Sequence, residues 1–294
     1  MKKTKSNYDI KYINHYKNEI INKTDKIKVV YTDLDSTLLN DKGCIIQDAQ
    51  EEYFFDALKQ IQKCLQRGID IVMVSGRGGF QLKYNAQLLN LKNYIAELGS
   101  ELIYDLGKEV YTTFNKEEYS YHFPLLGEDF KKVVEVLKRE FPSKIECKPE
   151  WNKNRSTNIV MVGEVDTGKA NLILEKNGFS GAILANNGPT SLFSTGLEIK
   201  KHYILNLMPK GVDKSTGVKL DKKIRDFKKE ECIALGDSVE DLKMADEVEL
   251  FFLMNNDIFE EEDVLSQLYK YDNVYVTTEK MNRGWAEVLS IIFD

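Results

Sequence analysis

A chain of 294 residues, 42% hydrophobic and 30% charged, has the apolar material for a sizeable core and the length for one large or two smaller domains. Its formal net charge of −6 argues against nucleic acid or an anionic membrane surface as the main partner. Cys44, Cys64, Cys147 and Cys232 are scattered without CxxC spacing, which fits reduced thiols in a cytoplasmic protein. Met1-Lys2-Lys3-Thr4-Lys5 opens like a signal peptide, but no apolar core follows it. No run of residues approaches the length needed to span a bilayer.

The first 26 residues form a polar extension with Tyr8, Ile10, Tyr12, Ile13, Tyr16, Ile20 and Ile21 at loosely helical spacing, expected to lie as a helix on the surface of the main domain. A strand–helix alternation starts at Ile27: a strand over 27–33, a helix over 48–67 stopped by Gly68, and a strand over 69–74. A helix over 79–90 and a strand over 94–98 follow. This βαβαβ order implies a parallel sheet covered on both faces. Residues 106–205 read differently, with helices near 129–140 and 167–178 and short strands at 158–162, 181–184, 191–194 and 203–207. They are expected to form an inserted α+β domain. Alternation then resumes with a helix at 214–229, a strand at 232–235, a helix at 239–245, strands at 250–253 and 274–276, and a closing helix at 282–292. The fold class is α/β, a Rossmann-like doubly wound sheet made of 27–105 and 206–294.

Four groups of residues sit just past strand ends, where open parallel sheets bind ligands. They are Asp33-Leu34-Asp35-Ser36-Thr37, Ser75-Gly76-Arg77, Lys214, and Gly236-Asp237 with Asp241. Strand alternation would turn Asp33 and Asp35 to the same side, where like charges raise each other's pKa unless a cation lies between them. Asp33 and Asp237, with the Asp35 backbone carbonyl, supply hard oxygens of the kind Mg²⁺ prefers, and Asp241 is placed to hold a coordinated water. Ser75 and the N–H groups of Gly76 and Arg77 can bind phosphate oxygens, and Lys214 offsets the repulsion between phosphate and aspartate. Asp33 is then a nucleophile and Asp35 a general acid and base. Singly, each group has a plainer reading: a turn, a helix cap, or a solvated lysine at a helix start. Four of them in order, each at the correct end of a strand, make that reading improbable.

These motifs resemble those of the haloacid dehalogenase superfamily of aspartate-nucleophile phosphatases. The resemblance covers the alternating core and implies the roles just given, with Thr37 orienting the phosphate and the acid/base. The long insertion lies between Ser75 and Lys214, as in the Cof-type branch, which includes sugar-phosphate phosphatases and phosphomannomutase. Two positions depart from the branch: Ser36 replaces a glycine, with little loss expected, and Glu240 replaces an asparagine beside the metal site.

In this branch the insertion is a cap that selects the non-phosphate part of the substrate. Arg155, Asn158 and Asn187 are its candidate contacts, in the company of Trp151, Lys153, Asn154 and Asn186, with ordinary polar loops as the alternative. His122 and His202 are expected to be structural, and Tyr119, Tyr121 and Phe123 to pack as a strand. The expected function is hydrolysis of a small phosphomonoester, of the sugar-phosphate kind, with Mg²⁺. A sugar phosphomutase using the same aspartyl-phosphate is one alternative, and a ligand-binding protein that keeps the fold is another. The expected protein is a cytoplasmic monomer or homodimer.

Overall fold

The computed structural model describes residues 10–114, 128–190, 195–256 and 262–294. The expected strand at 191–194, the aromatics Tyr119, Tyr121 and Phe123, and His122 lie outside the described residues. The chain divides into two compact units, Met1–Val74 with Leu89–Leu91 and Val218–Asp294, and Ser75–Leu88 with Lys92–Gly217. Among the described residues, no helix is long and apolar enough to cross a membrane.

The first unit is built on five parallel strands in the order β12 (Val274–Val276), β11 (Leu250–Leu253), β10 (Cys232–Gly236), β1 (Val29–Thr32) and β2 (Asp70–Val74). Their sequences are near-continuous apolar runs, as strands buried on both faces require. Chain order reverses between β1 and β10, and this is the switch point at which doubly wound folds bind ligands. The register pairs Thr32 with Leu235, so the residues that follow both strands leave the sheet side by side.

Three elements of this unit differ from the sequence expectation. The helix expected from residue 48 begins only at Asp56 (Asp56–Gln66). Asp48 instead closes a local turn, accepting the N–H groups of Gln50 and Glu52 at 2.9 Å each, and takes Arg283 Nε at 2.6 Å. The helix expected to reach 229 stops at Arg225, where Asp226 turns to φ +56°. The N-terminal segment is more than a surface helix. Val276 donates its N–H to the Lys11 carbonyl (2.9 Å), Ile13 and Ile20 are fully buried, and Glu19 of the Lys17–Lys23 helix accepts from Tyr275 Oη (2.7 Å). The segment thereby covers the β12 edge, which would otherwise be open for pairing.

The second unit holds β3 (Tyr94–Ala96), β4 (Glu101–Tyr104) and β5 (Glu109–Thr112), which pair antiparallel, and the Gly79–Leu88 helix. The β4–β5 hairpin is absent from the sequence reading. Its turn, Asp105-Leu106-Gly107, runs through three successive positive φ values (46°, 59° and 104°), and only the glycine advertises such a conformation. A second sheet has the order β6 (Ile145–Glu146), β7 (Ile159–Gly163), β9 (Tyr203–Pro209) and β8 (Ala182–Pro189), all antiparallel. Ile159, Met161, Leu184, Leu205 and Leu207 line one face of it and pack with Val133, Leu137, Ala170 and Leu174 of the Glu128–Glu140 and Thr167–Lys176 helices. Asn186-Asn187-Gly188, read as a loop, belongs to β8. The whole is a Rossmann-like α/β fold with an inserted α+β portion.

Candidate active site

In the first unit, the β1 ladder runs one residue beyond the strand, since Asp33 N–H donates to the Leu235 carbonyl (2.9 Å). Asp33 therefore emerges beside Gly236, with Asp237 next. Donor oxygens of Asp33, Asp237 and Asp241 all lie within 4.8 Å of one another, with Asp33 and Asp241 buried and Asp237 half-buried. Asp241 comes close because position 236 has no side chain; a Cβ there would lie 2.2 Å from the Asp241 Cβ. Asp241 Oδ2 shapes the turn by accepting from Ser238 Oγ (2.6 Å), Ser238 N–H (3.0 Å) and Asp237 N–H (3.2 Å). Three carboxylates this close repel strongly in a partly buried setting. An all-oxygen donor set of this size fits a hard divalent cation such as Mg²⁺. Glu240 stays out of the cluster and pairs with Lys243 (2.8 Å).

Strand alternation does not extend to Asp35. The strand ends at Thr32, and Leu34–Leu38 is an irregular turn in which Asp35 is extended (φ −68°, ψ 128°) and exposed. Ser36 takes φ +59°, the left-handed region that explains the glycine found there in the family, so the serine carries strain where little loss was expected. Thr37 is fully buried and its Oγ1 has no hydrogen-bond partner among the described residues, as a group awaiting a phosphate oxygen would. Sequence reading missed Asn256. Its Nδ2 donates to the Ser36 carbonyl (2.7 Å) and lies 3.5 Å from Asp237 Oδ2, while its Oδ1 accepts the Met281 N–H (3.0 Å). The available signal was its position, just past the end of β11 on the same sheet edge.

In the second unit, Ser75 donates its N–H to Ile95 and accepts from Leu98 N–H, both at 3.0 Å. Arg77 N–H is directed to Ser75 Oγ (3.2 Å), the Arg77 carbonyl accepts from Glu97 N–H (3.0 Å), and the Arg77 guanidinium reaches Asn85 (3.2 Å). Lys214 is buried at the first residue of the Lys214–Arg225 helix. The Asp213–Thr216 pair caps that helix, Thr216 N–H donating to Asp213 Oδ1 at 2.9 Å. Both motifs meet at the turn Glu97-Leu98-Gly99. Gly99 (φ +96°) lies so close to Asp213 that a Cβ would sit 1.9 Å from its carbonyl oxygen.

Glu97 is the second residue that sequence reading missed. Its fully buried carboxylate accepts the N–H groups of Ser156 (2.9 Å), Thr157 and Asn158 (2.8 Å each) and the Thr157 hydroxyl (2.6 Å). This pins the loop that carries Arg155. Arg155 donates from Nη2 to the Gly76 carbonyl (3.1 Å) and from Nη1 to Asn158 Oδ1 (2.5 Å). Burial pushes its pKa down, with Glu97 opposing. Asn187 arrives at the same place, its Nδ2 lying 3.2 Å from where a Gly76 Cβ would be. His202, expected to be structural, meets the Thr195 hydroxyl at 2.7 Å.

Residues 30–268 match the family model of haloacid dehalogenase-like hydrolases. The chain belongs to that family. It is a phosphatase of the Cof-type branch, as its motifs implied. A glucosyl-3-phosphoglycerate/mannosyl-3-phosphoglycerate phosphatase from Persephonella marina is 25% identical over 240 residues, covering 77% of this chain and 84% of that protein. Solved structures share the fold at lower identity. A haloacid dehalogenase-like hydrolase from Bacteroides thetaiotaomicron superposes with a TM-score of 0.61 at 20% identity, covering 90% of this chain and 99% of that one. The sucrose-phosphatase of Synechocystis, solved with sucrose and phosphate, gives 0.59 at 12% identity, covering 90% and 97%.

Proposed function

We propose that the protein hydrolyses a small sugar-phosphate monoester with Mg²⁺, through an aspartyl-phosphate on Asp33. The carrying observation is the Asp33, Asp237 and Asp241 cluster at the β1/β10 switch point. A carboxylate of Asp33 attacks phosphorus, the ester P–O bond breaks, and the Asp35 carboxyl gives its proton to the departing alkoxide. Asp35 then takes a proton from water, whose oxygen attacks the same phosphorus. The bond to Asp33 breaks, leaving inorganic phosphate and a free carboxylate. Through both steps the Lys214 ammonium, the hydroxyls of Thr37 and Ser75 and the N–H of Gly76 stabilise the phosphoryl oxygens. Asp33, Asp237, Asp241 and the Asp35 carbonyl would hold Mg²⁺, which neutralises phosphate charge when bound. Residues 106–205 act as the cap that receives the rest of the substrate, and a cytoplasmic location fits a soluble metabolite.

Phosphate release from a panel of sugar phosphates, nucleotides and phosphoglycerates, with Mg²⁺ and with chelator, tests the reading beside Asp33→Asn. Turnover that needs Mg²⁺ and vanishes in Asp33→Asn is expected. Turnover retained in Asp33→Asn overturns the assigned nucleophile, and isomerised sugar phosphate without free phosphate makes the enzyme a mutase.

A further inference from the structure

Asp33 stands one residue past the last ladder pairs of β1, in which Thr32 faces Leu235 on one side and Met73 on the other. Strand pairing carries as far as its N–H, which reaches the Leu235 carbonyl, and the peptide that follows is held by side chains. The Thr32 hydroxyl donates to the Asp33 carbonyl (2.7 Å) and accepts from the Trp285 indole N–H (3.0 Å). Thr32 and Trp285 are both fully buried. An indole N–H can only donate, so it takes a lone pair of the hydroxyl and leaves the hydroxyl proton for the Asp33 carbonyl. Trp285 is aimed at β1 by the start of the Met281–Phe293 helix, where three successive residues are tied down within the first unit. Met281 N–H bonds Asn256 Oδ1 (3.0 Å), Asn282 Nδ2 bonds the Ile45 and Gln47 carbonyls (3.1 and 2.8 Å), and Arg283 Nε bonds Asp48 (2.6 Å).

We propose that Thr32 and Trp285 are positioning residues for Asp33, holding its backbone so that its carboxylate is presented to the Asp237 and Asp241 oxygens, where a divalent cation binds. The Asp33 N–H is fixed by Leu235 and its carbonyl by the Thr32 hydroxyl, so the backbone is held on both sides of the Cα that carries the reacting group. A carboxylate that both ligates a metal and attacks phosphorus needs this twice over: a displacement of about 1 Å weakens ligation and spoils the line of attack. If the two bonds served only to satisfy a buried indole, removing the hydroxyl would cost stability and leave metal binding as it was. The inference rests on the reading of Asp33 as nucleophile and metal ligand, and adds to it the groups that aim it.

The test compares the wild type with Thr32→Val, Thr32→Ser and Trp285→Phe. It reads Tm against Mg²⁺ concentration without substrate, and kcat and KM with p-nitrophenyl phosphate. Thr32→Val keeps the shape of the side chain and removes its hydroxyl. It should raise the Mg²⁺ concentration for half-maximal stabilisation about tenfold and lower kcat about tenfold or more. KM should stay within about twofold, since the phosphate contacts are untouched. Trp285→Phe, which leaves the hydroxyl free to turn, should move the Mg²⁺ midpoint and kcat the same way by about threefold or more. Thr32→Ser loses a buried methyl and some Tm, yet should stay within about twofold of the wild type in both readings. A Thr32→Val protein with the wild-type Mg²⁺ response or, in an active enzyme, the wild-type kcat overturns the proposal. So does a Thr32→Ser protein as impaired as Thr32→Val, a Trp285→Phe protein that matches the wild type, or a wild-type Tm indifferent to Mg²⁺. Phosphate release judges the phosphatase reading separately. Mg²⁺ responses that separate Thr32→Val from Thr32→Ser in a protein that releases no phosphate leave the positioning role standing and remove the phosphatase reading. Phosphate release without that separation does the reverse.

Discussion

The two units place their functional groups by different physical means. In the first, register does the work: β1 and β10 pair in parallel, and the acids that follow them meet because the strands end together. In the second, placement depends on turns in unusual conformations. Glu97 and Leu98 hold φ of +53° and +60°, and around them gather the Ser75 turn, the Lys214 helix start and the Arg155 loop. A bulky residue such as leucine in that region is strained, and such strain persists where the surroundings over-determine it. The first unit positions its acids by strand pairing, and the second positions its groups by turn conformation.

The contrast can be broken at its strongest points first. Tyr31 donates to Asp221 (2.6 Å) inside the first unit, and Arg225 pairs with both Asp221 (2.6 Å) and Asp70. Arg225→Met strands the buried Asp221 carboxylate and should cost about 3–5 kcal/mol of stability. Urea unfolding read from Trp285, in a Trp151→Phe background, checks this, and a loss below about 1 kcal/mol would mean the pair is dispensable. Glu97→Ala should instead act locally, with a cost of about 2–3 kcal/mol as the 156–158 N–H groups lose their acceptor. Hydrogen exchange should accelerate at Ser156, Thr157 and Asn158 and leave β1 and β10 unchanged. Uniform acceleration would remove the distinction between the units.

Alkaline pH offers a gentler comparison. Burial pushes Cys64 and Cys232 of the first unit up to about 12, and Cys147 of the second up to about 11. The unfolded chain ionises these thiols near pH 9, whereas the folded protein keeps their protons, so their contribution is intact below pH 9 and drains as pH rises toward those values. Burial, then Asp221, likewise raises Tyr31, which adds to the loss above pH 10. Stability read from Trp285 should fall more steeply over this range than stability read from Trp151, and Cys64→Ala should flatten the former. Equal slopes would contradict the burial assignments. The smallest effect is at Ser36. Ser36→Gly relieves a left-handed strain of about 1–2 kcal/mol but adds unfolded-state entropy, for a net gain of up to about 1 kcal/mol in the urea midpoint free energy. A net loss would show that the serine side chain contributes more than the strain removes.

What could be read from the sequence follows the same division. The apolar runs Val29–Thr32 and Leu250–Leu253 mark themselves as buried parallel strands, and the residues after strand ends form a short, searchable set. That search picked out Asp33 and Asp237, which the structure brings near each other, and it passed over Asn256 because the β11 end was not included. The turns were not legible. No local pattern in Glu97-Leu98-Gly99 announces a carboxylate that holds the backbone of residues 156–158, because the partners are distant in sequence. Asp35 illustrates the converse error: period-two alternation was extended past Thr32, where the strand had ended.

The central claim is that Asp33 is phosphorylated during turnover. Acid quench of the enzyme with Mg²⁺ and a ³²P-labelled substrate in a single turnover tests it directly. The account predicts hydroxylamine-labile label on the peptide containing Asp33, appearing and decaying within the turnover and absent in Asp33→Asn. Turnover without protein-bound label in any trapped time point, or label on another residue, would contradict it.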